Sequence, residues 1–331
     1  MTGAALAAAG RSGLLRPRRD RVLPWLIFLA FALLPLFASL LAEQYLVDLA
    51  TRVMIAAVAA VALDLLVGYA GLISFGHAAF VGLGAYAVGI LSAHGIEDAL
   101  VSLPVAIAVS MLFAWLTGIV CLRTKGAYFI MITLAFGQMV YFIATSLAPY
   151  GGDNGLTIAA RNTVAGFSLL KSDRAFYYVT LVCLLGTYLF CRVLVASRFG
   201  RVLRGTKENA ARMATIGFTV RRFQLIAYVI SGGLGGLSGF LLANSTEFVS
   251  PAFMSWQRSG ELIVMVILGG VGTLDGAIIG TAAYLAAEEW LSGMVENWQV
   301  IFGPLLVLVV LFARGGLIGL ASRLWRRLGH A

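Results

Sequence analysis

Residues 197–217, SRFGRVLRGTKENAARMATIG, form the longest clearly polar and basic stretch between the apolar runs of this chain. Its single acid, Glu208, stands against five basic residues: Arg198, Arg201, Arg204, Lys207 and Arg212. Such a charge excess is typical of a cytoplasmic loop between transmembrane helices. The alanines predict a short helix that begins at Thr206 or Lys207 and ends at Gly217, because the residue after a helix favours the left-handed backbone conformation that glycine adopts. This helix either contacts a partner in water or touches only its own protein.

The composition is typical of a membrane protein. Hydrophobic residues make up 60% of the chain and charged residues 12%, against about 25% charged in soluble domains. Apolar runs of about 20 residues recur along the length, and each can cross a bilayer. We therefore predict an all-α, polytopic membrane protein in which residues 1–331 form one transmembrane domain and residues 197–222 a cytoplasmic loop. The net charge of +9 lies beside apolar spans, which favours membrane orientation over nucleic-acid binding.

The apolar runs predict about ten transmembrane helices with both termini in the cytoplasm. The first run follows a basic segment and is too long for the apolar region of a signal peptide, so we interpret it as a retained helix. Most basic residues fall on predicted inner segments and most acids on outer ones. The predicted spans are approximately residues 22–42, 46–69, 78–93, 101–122, 128–147, 175–195, 223–243, 261–274, 277–291 and 300–312.

Polar residues inside these runs are candidates for a translocation path. A charged group such as Asp64 is costly in lipid and normally faces a bundle interior or a cavity. The glycine-rich segment 67–77 interrupts the helical pattern and predicts a turn whose small residues also allow close helix packing. The candidate path residues are Ser74, His77, Thr133 and Gln138. Each of them could equally serve as a turn residue or as a polar contact between helices.

Two further glycine-rich segments and the cysteines have simpler interpretations. Residues 231–239 predict a packing seam for neighbouring helices, with a kinked helix as the alternative. The glycines of 150–155 predict tight turns, because the Lys-Ser/Thr of a phosphate-binding loop does not follow them. No metal or disulfide spacing links the cysteines, which lie in or beside apolar runs: Cys121, Cys183 and Cys191.

Several motifs in a fixed order carry a family resemblance. They are LLVGYAGLISFGHAAFVGLGAY (65–86), RTKGAYFIMITLAFGQ (123–138), YGGDNGL (150–156), SRFGRVLRGTKENAARMATIGF (197–218), SPAFMSW (250–256), ILGGVGTLDGAIIG (267–280) and FGPLLVLVVLFARGGLIGL (302–320). From about Leu63 to Leu320 the chain resembles the permease subunits of branched-chain amino acid ABC importers. It departs from the usual pattern at Asp275, where a bulky residue is usual, and at Arg314, where proline is common.

The resemblance implies a multi-pass protein of the bacterial inner membrane that works by alternating access. It implies three kinds of partner besides the bilayer: a second homologous permease, two cytoplasmic ATP-binding subunits and a periplasmic solute-binding protein. This chain, which has no Walker A sequence, would be no enzyme, would bind no cofactor and would leave ATP to its partners. The residues that resemble the ATPase-coupling motif are Glu208, Asn209, Ala210, Ala211, Ile216 and Gly217.

Other functions remain open at this point. Importers of urea, short amides or aromatic acids have similar permeases. An ion-coupled secondary transporter would need coordinating groups near the bilayer midplane, and its candidates here, Asp64 and Glu261, lie near span ends. An intramembrane enzyme would need paired catalytic groups, and Ser74 and His77 have no orienting carboxylate nearby in sequence.

Overall fold

The computed structural model describes residues 19–41, 44–167, 169–294, 300, 302–304 and 315–320. The chain divides into two compact units, residues 1–47 and 48–331. Its main elements are helices, in agreement with the predicted all-α class: α1 Arg19–Leu41, α2 Gln44–Asp64, α3 His77–Ala93, α4 Ala99–Cys121, α5 Ala127–Ser146, α6 Asp173–Ala196, α7 Arg198–Thr215, α8 Val220–Thr246, α9 Trp256–Gly269 and α10 Leu274–Ser292. Short strands β1 (Leu156–Thr157) and β2 (Phe248–Val249) complete the list.

Five helices within the described ranges are long and apolar enough to cross a membrane: Tyr45–Ala70, Ala99–Cys121, Ala127–Ser146, Asp173–Ala196 and Val220–Thr246. A sixth is added if the bent pair α9–α10 counts as one span. The predicted number of about ten spans and the cytoplasmic termini therefore stay predictions. Residues 1–18 and 321–331, and most of the predicted span 300–312, lie outside the described residues.

The glycines of α8 form the packing seam that the sequence predicts. A Cβ atom on Gly236 would lie 2.7 Å from the Ala106 carbonyl oxygen of α4, and one on Gly239 would lie 2.8 Å from the Ala85 nitrogen of α3. Contacts this short leave room only for glycine, because a side chain would push the helix backbones apart. Helix α8 is continuous through residues 231–239, so the helix is not broken there, and the alternative of a kink stays a prediction.

The predicted interruption after the second span is also present. Helix α2 continues into a π-helical turn, Leu65–Ala70, which ends at Gly71 with φ +71°. Residues 71–76 are not helical, and α3 begins at His77. Helix α5 covers this break: the Phe75 amide donates to Thr133 Oγ1 at 3.2 Å. Leu72, Ser74 and Gly76 of this segment are buried, whereas Gly71 and Ile73 are exposed, so protein covers the irregular backbone in part.

Helices α9 and α10 form a helical hairpin. The chain direction changes by 116° between them, at a turn where Gly270 and Gly272 have φ of +122° and +82°. Gly269 packs on Gly276 next to the turn. Four residues further from the turn on each helix, Met265 packs on Gly280. The two helices have 14 and 19 residues, about 21 and 28 Å, so each is shorter than a typical bilayer core of about 30 Å.

The hairpin corrects the predicted boundaries of spans 261–274 and 277–291. We expected Asp275 and Gly276 to begin the turn between these spans. They belong instead to the first turn of α10, and the reversal occurs at residues 270–273. The physical reason is that the positive φ values of the turn favour glycine, and the two suitable glycines stand earlier in the chain.

The loop that precedes α6 is attached to the C-terminal end of α8, which is the end away from α7. Strands β1 and β2 pair through Leu156 with Val249 and through Thr157 with Phe248. Near them, Arg161 forms ion pairs with Asp173 at 2.6 Å and with Glu247 at 3.3 Å. The molecule therefore has two chemically different ends, the basic helix α7 at one and this tied loop at the other.

Candidate functional site

Helix α7 is longer than predicted and has a break inside it. It runs from Arg198 to Thr215, and Asn209 interrupts it with φ −158° and ψ 95°. The Asn209 side chain accepts a hydrogen bond from the Arg212 amide at 2.9 Å. This is the geometry of an N-cap, which asparagine favours. A separate short helix, residues 210–215, therefore follows Asn209, and we call it the terminal helix.

The capping residue corrects two expectations about this segment. The short helix does not begin at Thr206 or Lys207, because both belong to the preceding helical half. Glu208 is not in the first turn of the terminal helix, since it precedes the N-cap. Its negative charge therefore lies outside the terminal helix and not in the first turn, where a helix that began at Thr206 or Lys207 would have placed it.

The end of the terminal helix is as predicted. Gly217 has φ +97°, the left-handed conformation that a helix-ending glycine adopts. Its amide donates to the Ala214 carbonyl at 3.0 Å, and the Phe218 amide donates to the Met213 carbonyl at 3.1 Å. This pair of bonds is a Schellman motif. Both ends of the terminal helix are thus capped locally, so the six-residue helix has a defined start and stop.

The terminal helix is exposed on the protein surface. Val202, Leu203 and Thr206 of the preceding half are buried. Every residue from 207 to 219, in contrast, is exposed or half-buried. The exposed residues include two large apolar side chains, Ile216 at 64% and Phe218 at 38% exposure. Apolar side chains on a strongly basic surface segment are typical of a contact site for another protein.

A cavity of about 760 Å³ lies beside this segment. Ala210, Ala211 and Ala214 line it, and Ala214 lies on the same helical face as the other two because it follows them by four and three residues. The opposite walls come from the break after α2, from the α4–α5 connection and from the end of α9. The small alanine side chains keep this space open.

Lys207 connects α7 to the membrane-spanning part of the protein. Its Nζ donates to the Gly68 carbonyl oxygen at 2.7 Å. Its aliphatic stem lies against Gly71, where a Cβ atom would be 3.0 Å from Lys207 Cγ. The sequence indicated only a positive-inside charge at this position. A contact between residues 139 positions apart has no local sequence signal.

The π-helical turn that contains Gly68 is itself bonded to the tip of the helical hairpin. Asp64 is fully buried, and its Oδ1 accepts from the Gly272 amide at 2.7 Å. A Cβ atom on Gly68 would lie 2.5 Å from that oxygen and 2.6 Å from Gly272 Cα. The ammonium of Lys207 supplies an opposite charge to the Asp64 carboxylate. We call these four residues, Asp64, Gly68, Lys207 and Gly272, the linkage cluster.

The structure brings three of the four candidate path residues together. Ser74, His77 and Thr133 are buried near the break at residues 71–76, where Thr133 accepts a hydrogen bond from the Phe75 amide between the other two. Gln138 is half-buried further along α5. Neither of the two cavities described for residues 44–294 is lined by any of the four, and a role in translocation stays a prediction. The described residues contain no group of His, Cys, Asp and Glu that could hold a metal.

The apolar helices, the partly covered break and the exposed basic helix are those of a multi-pass membrane protein. Residues 45–311 match the family described as branched-chain amino acid transport system / permease component, and the chain belongs to this family. This confirms the resemblance inferred from the motifs. The protein is therefore a multi-pass protein of the bacterial inner membrane with a role in transport.

Individual relatives agree with the family assignment. Over 295 residues the chain is 25% identical to the high-affinity branched-chain amino acid transport system permease protein LivM of Salmonella typhimurium, and equally to that of Escherichia coli. Each match covers 82% of this chain and 69% of the relative. A 72-residue segment is 35% identical to a probable branched-chain amino acid transport permease protein LivH of Methanocaldococcus jannaschii, covering 22% of either chain. No solved structure matches the chain.

Proposed function

We propose that this chain is a transmembrane permease subunit of an ABC importer for branched-chain, hydrophobic amino acids. Separate ATPase subunits drive it between inward-open and outward-open states. One observation carries the proposal: an exposed, separately capped helix is linked through Lys207 to the tip of a helical hairpin. The substrate class follows from that of the relatives, which are branched-chain amino acid transport permeases.

The proposed partners are those of the family resemblance. A second homologous permease completes the membrane part, two cytoplasmic ATP-binding subunits use ATP, and a periplasmic solute-binding protein delivers the amino acid. The terminal helix is the ATPase contact. Ala211 is exposed and small, so it allows a partner surface to approach closely. Exposed Ile216 and Phe218 add apolar contact area beside it.

The linkage cluster gives a physical route from the ATPase to the membrane part. A displacement of the terminal helix pulls on Lys207, which lies two residues before the capping Asn209. Lys207 holds the Gly68 carbonyl, and Gly68 lies directly against the Gly272 backbone with no side chain between them. Asp64 holds the same hairpin tip through a charge-assisted hydrogen bond, which is stronger than a neutral one. Motion of α7 is therefore delivered to the hairpin.

This arrangement supports the ABC importer over an ion-coupled secondary transporter. A coupling ion would need the carboxylate oxygens of Asp64 as ligands. One of these oxygens already binds the hairpin tip, and the charge of Lys207 competes with any cation there.

The test compares three variants of the chain in a complex with its partner subunits: Ala211→Trp, Gly217→Val and Arg201→Gln. Tryptophan at 211 overpacks the contact, and valine at 217 is strained at φ +97° by about 1–2 kcal/mol. Both are expected to reduce ATPase co-purification and amino acid uptake at least tenfold. Arg201→Gln, the control, removes an exposed charge from the same helix and is expected to leave both intact. Normal uptake by Ala211→Trp together with loss in Arg201→Gln would overturn the proposal.

A further inference from the structure

A second cavity, of about 280 Å³, lies at the open end of the helical hairpin, away from its tip. Residues of α2, α3, α8, α9 and α10 and Phe253 form its walls. It is at the end of the molecule that carries the β1–β2 pair, opposite α7. In the proposed orientation this is the periplasmic end, where a binding protein releases its ligand. The volume is close to the lower limit of small-molecule sites, about 300 Å³.

Charges of both signs line this cavity. The charged residues are Arg52, Arg258, Glu261, Glu288 and Glu289. Arg258 forms an ion pair with Glu261 at 2.7 Å on α9. Glu288, on the facing helix α10, lies close enough to interact electrostatically with Glu261, Arg258 and Arg52. Guanidinium and carboxylate groups therefore face one space from three different helices.

Glu288 has an unused hydrogen-bonding atom. Its Oε2 is buried and has no hydrogen-bond partner among the residues that the structure describes. A buried acceptor without a partner costs free energy. A cationic ligand group placed in the cavity would supply the missing donor.

The remaining walls are apolar. Leu49, Ile55, Phe253, Met265 and Leu285 provide aliphatic and aromatic surface next to the charged groups. An amphipathic small molecule matches such a lining, because its charged end and its hydrocarbon end meet different walls.

We propose that this cavity is a binding site for a zwitterionic amino acid with an aliphatic side chain. Glu288 accepts from the α-ammonium, the guanidinium groups of Arg258 and Arg52 bind the α-carboxylate, and the apolar wall holds the side chain. The inference rests on the proposed function and deepens it. Urea and short amides carry neither charge and aromatic acids carry only the anionic one, so none of them uses both halves of the site.

The first experiment measures ligand binding to the complete complex in nanodiscs without binding protein. Labelled leucine is displaced by unlabelled leucine, by 4-methylpentanoate, which lacks the ammonium, or by 3-methylbutylamine, which lacks the carboxylate. We expect leucine to compete at least tenfold better than either single-charge analogue. Equal competition by all three compounds, or no leucine binding, would overturn the site.

The second experiment uses variants of the charged groups. Glu288→Gln keeps the side-chain shape and is expected to weaken leucine binding about tenfold, and to abolish the preference for leucine over 4-methylpentanoate. Arg52→Gln, which changes an exposed side chain, is expected to abolish the preference over 3-methylbutylamine. The control Asp153→Asn alters an exposed acid at the same end of the molecule and should bind like the unchanged chain.

Two further readouts separate the possible failures. Each variant is also tested for ATPase co-purification and for hydrolysis stimulated by loaded binding protein. If these are normal while leucine binding is absent or insensitive to Glu288→Gln, the site is wrong and the proposed function stands. If the unchanged chain neither retains the ATPases nor imports leucine, the proposed function itself is wrong.

A lipid headgroup carries similar charges, so binding is repeated in nanodiscs lacking phosphatidylethanolamine. Leucine binding that requires that lipid would assign the cavity to the headgroup.

Discussion

Replacing Gly68 by alanine tests whether the linkage cluster transmits motion. The new Cβ atom would lie 2.6 Å from both N and Cα of Gly272, and ordinary contact begins at 3.4 Å. The π-helical turn and the hairpin tip must therefore separate by about 0.8 Å. Overpacking of this kind costs about 1–3 kcal/mol. Weakening the Asp64–Gly272 hydrogen bond, which involves a charged group, adds about 1.5–3 kcal/mol.

The assay is leucine uptake per ATP hydrolysed, in proteoliposomes that hold the complete complex. We expect Gly68→Ala to keep its ATPases and to hydrolyse ATP, because the terminal helix is untouched. The uptake per ATP should fall at least tenfold, because the hairpin tip no longer follows Lys207. A matched control is Gly186→Ala in α6, where nothing lies within 4 Å of the new Cβ atom. Equal coupling in the two variants would refute the reasoning.

Three other predictions concern neighbouring features. Lys207→Met should uncouple hydrolysis from uptake while Lys207→Arg keeps both; unchanged uptake per ATP in the methionine variant would contradict the linkage. Asn209→Ala should destabilise the terminal helix by about 1 kcal/mol, seen as faster amide hydrogen exchange at residues 212–215, and unchanged exchange would argue against the cap. Cysteines at the exposed positions Asp153 and Glu208 should be labelled by an impermeant thiol reagent in intact cells only at 153; labelling at 208 would reverse the proposed orientation.

Much of the fold could be predicted because the signals are local. An apolar run long enough to cross lipid must hydrogen-bond its own backbone, so it forms a helix. The exposed position of residues 207–219 follows from their charge, and the end of the terminal helix follows from Gly217. The glycines of α8 indicated close packing, although the sequence did not identify α3 and α4 as the helices they contact.

The rest depended on contacts that no local pattern encodes. Lys207 and Glu208 before Asn209 and the alanines after it all favour a continuous helix, so only the folded chain shows that Asn209 caps the terminal helix. Asp64 binds Gly272 across 208 positions, and a single sequence gives no sign of such a pairing. The charges at 258, 261 and 288 lie at or near the ends of two predicted spans. Their convergence on one cavity depends on the hairpin that folds α10 back across α9, which no local pattern encodes.

The seam along α8 has a consequence for how the protein can move. Sliding of packed helices depends on side chains that adjust at the contact. At Gly236 and Gly239 there are none, since the helix backbones of α3, α4 and α8 lie almost directly against one another. These three helices therefore behave as one stiff block during a transport cycle. Two hydrogen bonds join α7 and the helical hairpin to the end of α2 and its π-helical turn, which lie outside that block. We therefore expect the travel to come from these parts.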